Sequence, residues 1–321
     1  MTAAPAALRS ARARWTAMAD ETTWQASLVK AVGFETAQHA RNRLALMLVL
    51  FFIPAWLGLV TGILPSSPIE YQSRITGDLI TVPANELGLM SAAINAVTLI
   101  VGFMMFAAMR RSSEFDQRLV LAGYSRSGLL LAKLVALVLV AVVVSAYAAL
   151  SMTFFTDVHQ GALLGLSLFA SGLTYGGIGI VLGVAVSTEL AGMFVIIMIS
   201  LVDVMVQNPV INPGRDQTLV QFLPTYGAMQ SGVAATFTEE VSARHLLLGP
   251  MWLVAFAVFG LVAFYARTRD HSSHSDAPPP APPTAMVTLR TLPDGTMVVE
   301  SHQGPILLCS HTDCELEPEG S

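Results

Sequence analysis

Apolar residues in this chain come in long blocks, and the polar residues are gathered between them. A helix needs about 20 mostly apolar residues to cross a bilayer core. Six blocks meet or approach that length: residues 44–64, 87–109, 128–152, 163–186, the shorter 191–207, and 246–266. The third contains "LVALVLVAVVVSAYAAL", whose β-branched residues favour a strand in water. In lipid the helix wins, because it satisfies its own backbone N–H and C=O groups. The pattern predicts an all-α integral membrane protein with six transmembrane helices in a domain spanning residues 44–266.

The polar stretches differ in character. Ahead of the first block, "ETTWQASLVKAVGFETAQHARNRL" puts Trp24, Leu28, Val32 and Phe34 roughly on one side and Lys30, Glu35 and His39 elsewhere. This predicts an amphipathic interfacial helix within an N-terminal arm of residues 1–43. Residues 65–86 read as a loop rich in Pro, Ser and Thr, 153–162 as a short turn and 187–190 as a tight one. The longest connection, 208–245, holds the turn cluster "NPVINPGRD". Pro224 then suits the first turn of a short interfacial or re-entrant helix. Residues 267–285 form a Pro- and Ser-rich linker, and 286–321 a small tail. In that tail two β-prone runs flank Pro293, Asp294 and Gly295, predicting a hairpin, with "PILLCS" available as a third strand.

Charge orients this arrangement. With the N-terminus placed inside, 14 of the 17 Lys and Arg residues fall in inner segments; only Arg74, Arg215 and Arg244 fall outside. That bias predicts both termini on the cytoplasmic side of the plasma membrane. Composition agrees with a membrane protein: 12% of residues are charged, about half the share in soluble domains. The net charge of −5 gives no footing for a nucleic-acid partner. The first nineteen residues hold three arginines and no acid, with no apolar h-region behind them. They read as a membrane-surface arm or a transit peptide and not as a secretory signal.

The candidate chemistry is sparse. There are two lysines, Lys30 and Lys133, and neither follows a glycine-rich loop. The chain therefore lacks the phosphate-binding loop of a nucleotide hydrolase, and no catalytic grouping suggests an enzyme or a cofactor. Asp203 is the one acid well inside an apolar block, and Asn95 is a candidate for hydrogen bonding between helices. Gly165, Gly172, Gly176, Gly179 and Gly183 follow one helical face, which suits close helix packing. Cys309, His311 and Cys314, with His302 as a distant fourth ligand, form a poor zinc set. A reduced tail without metal is expected.

The stretch "RRSSEFDQRLVLAGYSRSGLLLAK", residues 110–133, is too charged for lipid. Phe115, Leu119 and Ala122 fall on one helical face, Gly123 favours a helix end, and Ser125 suits the cap of the next helix. The reading is a short amphipathic helix, a turn and the start of the third span. The order Glu114-x4-Leu119-x3-Gly123-x-Ser125-Arg126, followed by "LLLAK", resembles the ABC-2 type transporter permeases. So do the six spans, the N-terminal amphipathic helix, the tight turn before span five and the Leu-Pro of the last outer loop. The resemblance covers about residues 20–268.

It implies a permease subunit of an ATP-binding-cassette exporter, paired with a second permease copy. Separate ATPase subunits would carry ATP and Mg. It makes Glu114, Phe115, Arg118, Leu119, Gly123 and Arg126 the residues of a coupling helix that docks on the ATPase. A hydrophobic or lipid-like cargo is expected. The alternative is a membrane scaffold or signalling protein that transports nothing and uses its tail for docking.

Overall fold

The computed structural model of the chain describes residues 24–75, 77–208, 212, 218–273, 288–291, 297–301 and 304–307. Two compact units divide it, Met1–Tyr265 and Ala266–Ser321. The first opens with α1 (Trp24–Arg41) and α2 (Arg43–Ile63). A hairpin follows, β1 (Pro68–Gln72) and β2 (Leu79–Pro83), paired antiparallel with Tyr71 opposite Ile80. Then come α3 (Ala84–Leu121), α4 (Arg126–Met152), α5 (Gly161–Ala185) and α6 (Glu189–Gln207). A 3-10 turn (Thr218–Phe222), α7 (Tyr226–Phe237) and α8 (Ala243–Ser273) complete it.

Six of these helices are long and apolar enough to cross a membrane: α2 to α6, and α8 over Ala243–Ala263. The chain is a multi-pass membrane protein by this measure. α3 and α5 form its centre and are mostly buried, whereas α2, α6 and α8 turn broad apolar faces outward. Outward Phe51, Phe194 and Val258 are what a helix presents when lipid is its solvent.

Several boundaries correct the sequence reading. The polar stretch after span two is no separate helix: α3 runs unbroken through it for 38 residues. The loop 65–86 contains the hairpin, too short and polar to read as strands, with Tyr71 and Val82 turned inward. α7 is a helix where one was expected, but it is almost wholly buried and so not interfacial. Pro224 precedes it in a turn, and Thr225 takes its N-cap position without a side-chain capping bond. α8 continues to Ser273, into the stretch read as linker.

α2 departs from regular helix. Leu48–Phe52 is a π turn, followed by Pro54. Proline has no N–H for the carbonyl four residues back, which is that of Leu50. The Tyr147 hydroxyl of α4 donates to this carbonyl at 2.9 Å.

In the second unit, β3 (Thr288–Thr291), β4 (Met297–Ser301) and β5 (Gly304–Leu307) form an antiparallel sheet in sequential order. Cys309, His311, Cys314 and His302 lie outside the described residues, as does the N-terminal arm before Trp24.

Candidate functional site

The turn between α3 and α4 is built to hold one shape. Gly123 takes φ +93°, a conformation that disfavours any side chain. The Tyr124 N–H reaches back to Leu119 O at 2.9 Å and the Gly123 N–H to Val120 O at 3.0 Å, closing α3 with a Schellman motif. Ser125 Oγ accepts from the Gly128 N–H at 3.2 Å and caps α4. The 12 residues from Arg110 to Leu121 advance about 17 Å along the helix. At their end Leu121 is 87% exposed.

Of the residues expected to dock, Glu114, Arg118 and Gly123 are exposed, and Leu119 and Arg126 are half-buried. Phe115 stacks on Phe34 of α1 with ring centroids 5.5 Å apart, and both rings stay about half exposed. The face of α3 turned inward here is Ser112 and Asp116, not Phe115, Leu119 and Ala122. Charge decides this. Lys133 of α4 is buried opposite, and it draws the carboxylate inward.

Lys133 Nζ bonds Glu35 of α1, Asp116 Oδ2 at 3.1 Å and Ser112 Oγ at 2.6 Å. Ser112 Oγ donates to Asp116 Oδ2 at 3.0 Å. His39, one helical turn beyond Glu35, is buried too, and its Nε2 has no partner. Burial, and secondarily the Lys133 charge, push His39 down to about 4, so it is neutral. Tyr124 adds a further tie, its hydroxyl donating to Ser27 O at 2.6 Å. α1 is therefore docked by its polar side: it buries Ala26, Glu35 and His39, while Trp24 and Phe34 face out.

Arg110 closes the same end. It donates to the carbonyls of Val186 and Ser187 in the turn between α5 and α6.

Asp203 and Asn95 each anchor a buried polar group between helices. Asp203 Oδ2 accepts from the Tyr175 hydroxyl at 2.9 Å and the Thr225 N–H at 3.2 Å. Its Oδ1 accepts from Gln207 Nε2 at 2.6 Å. Gln207 also donates to Thr225 Oγ1 at 2.8 Å. Three donors thus meet one carboxylate, which satisfies it and pins the start of α7 to α5 and α6. Nearer the membrane centre, Asn95 Nδ2 donates to Ser200 Oγ at 3.0 Å, and Thr98 Oγ1 lies 2.8 Å from the same oxygen.

Asn95 also lines a groove of about 330 Å³ between α2, α3 and α6. Its walls are apolar, with Trp56 and Val60 on one side, Ala92 behind, and Val204 and Met205 on the other.

The glycines of α5 face different neighbours. A methyl on Gly176 would meet Leu137 of α4, and one on Gly172 both Ala141 of α4 and Val97 of α3; on Gly179 or Gly183 it would overlap α3 at Gly102 O or Met109. Gly165 has nothing nearer than Ala149 at 4.0 Å. Gly249 of α8, not singled out by spacing, packs against Ala170, whose backbone O would lie 2.7 Å from an added methyl.

No protein family matches this sequence, and no curated protein does so. The functional reading therefore rests on the geometry and on the motif order of the α3–α4 region.

Lys133, Glu35, Asp116, Tyr175 and Gln207 were not legible as site residues. A lysine eight residues into a helix that goes on to cross lipid was the one available signal, since such a charge needs a buried partner.

Proposed function

We propose that this chain is the membrane-spanning permease subunit of an ATP-binding-cassette exporter, driven by ATPase subunits that dock on the α3–α4 tip. The observation that carries the reading is the tip itself. It is closed by the Gly123 turn and the Ser125 cap. It exposes Leu121, Phe115, Glu114 and Arg118. Exposed apolar side chains beside charged ones suit a protein-docking surface. The Lys and Arg bias puts this end in the cytoplasm, where ATP is. The apolar groove beside α2 and α6 suits a hydrophobic or lipid-like cargo drawn from the bilayer. A second permease copy would face the outward sides of these same helices.

The test pairs the purified chain with the cassette ATPase encoded nearest to it, reconstituted in vesicles. The chain should raise ATP turnover. Glu114→Ala with Arg118→Ala should cut that stimulation about tenfold, the loss of roughly 1.4 kcal/mol at the contact, while helicity by circular dichroism is kept. No association, with full helicity, would favour the scaffold reading instead.

A further inference from the structure

Stability alone does not account for the ion cluster at Lys133. Buried ion pairs repay their desolvation poorly, and apolar residues of like volume often serve as well or better. What such a set does supply is a single arrangement of the elements that carry it. Here those elements are α1, α3 and α4.

α1 depends on that set to an unusual degree. Its one buried apolar residue is Ala26; its other buried residues are Glu35 and His39. Asn42 alone separates it from α2, and it makes a stiff corner. Its Oδ1 accepts from the Ala45 N–H at 3.3 Å and its own N–H reaches His39 O at 3.1 Å. α2 in turn is lightly held. It buries Ala45, Ile53 and Leu57, and is tied at Leu50 O by Tyr147. The half beyond that tie carries Trp56 and Val60, one wall of the groove.

We propose that Lys133 is the positioning residue for this wall: it clamps α1 through Glu35, and α1 sets where α2 runs against α3 and α6. The Tyr147 bond to Leu50 O is the fixed point about which α2 swings. Movement of the tip would then reach the groove through Asp116, Lys133, Glu35 and α1. That consequence rests on the reading of the groove as the cargo path; the placement of the wall does not.

The experiment uses the purified full chain in nanodiscs of phosphatidylcholine brominated at mid-chain. Trp15→Phe, Trp24→Phe and Trp252→Phe leave Trp56 as the only indole, and bromine quenching reports its access to lipid. Lys133→Met with Glu35→Gln and Asp116→Asn removes the charges and leaves no orphan ion. It should change quenching of Trp56 at least twofold. Asp116→Asn alone, which keeps the Lys133–Glu35 pair, should not. Adding Lys133→Glu to Asp116→Asn should reproduce the change, and further adding Glu35→Lys should reverse it. Should Lys133→Glu prevent folding, the neutral set decides. Unchanged quenching in the neutral set overturns the proposal, and so does a change that charge reversal fails to undo. No partner is present in this assay, so its failure and the failure to find an ATPase are separate results.

Discussion

Lys133 shows how position alters the meaning of a charge. In the sequence it counts toward the positive bias that orients the spans. In the fold it is 2% exposed and shared by two carboxylates. His39 beside it gives a pH signature. The folded chain holds His39 neutral, its value lowered from 6.5 to about 4. A released α1 binds a proton below about pH 6.5. Docking of α1 is therefore fully supported above that value and loses this contribution as pH falls from about 6.5 toward about 4. Limited proteolysis within α1 should accelerate between pH 7 and pH 5. His39→Leu, which cannot take up the proton, should flatten that increase, and equal pH dependence in the two proteins would remove His39 from the account.

Among the elements, α3 and α5 show what close approach requires. Gly179 lies against the backbone of α3, where Gly102 O and the Phe106 N–H leave no room for a methyl. Backbone atoms cannot turn aside as a long side chain can. Gly179→Ala should therefore lower stability by about 2–3 kcal/mol, in the range of an overpacked core. Gly165→Ala, on the same apparent face, should stay within about 0.5 kcal/mol, since Ala149 at 4.0 Å makes an ordinary contact. Thermal unfolding in detergent distinguishes the two. Spacing alone could not separate them, because a helical stripe does not say which neighbour approaches or how near. The same holds for α3. An apolar helix that turns charged keeps its hydrogen bonds, so the change in composition at Arg110 does not mark a helix end.

Across the bundle, the loops sort to two ends. α1, the α3–α4 turn and the α5–α6 turn meet at one, tied by Lys133, Tyr124 and Arg110. At the other, the turn after α4 meets α7 through the Gln160 N–H to Ala235 O at 2.8 Å. Thr156 Oγ1 also donates there to Glu86 Oε2 at 2.8 Å. The positive bias of the sequence predicts that the first end is the cytoplasmic one. Epitope tags at the N- and C-terminus should both be digested only from the cytoplasmic side of sealed vesicles. Digestion from opposite sides would mean that one of the six apolar helices does not cross.

Lipid-length apolar blocks are visible in one dimension, because the bilayer imposes a fixed length on whatever crosses it. The six spans, the glycine-ended turn at Gly123, the Ser125 cap and the β-prone tail were legible for such local reasons. The inward face of α1, the shared Lys133, the Asp203–Tyr175 and Asn95–Ser200 contacts, and the groove beside Trp56 were not. Each depends on residues from different helices meeting, and only packing decides which side of a helix meets which partner. The sequence alone determined that the chain crosses lipid and where charge must stay outside it. The tertiary structure decided where charge is nonetheless buried, and Lys133 holds α1 there.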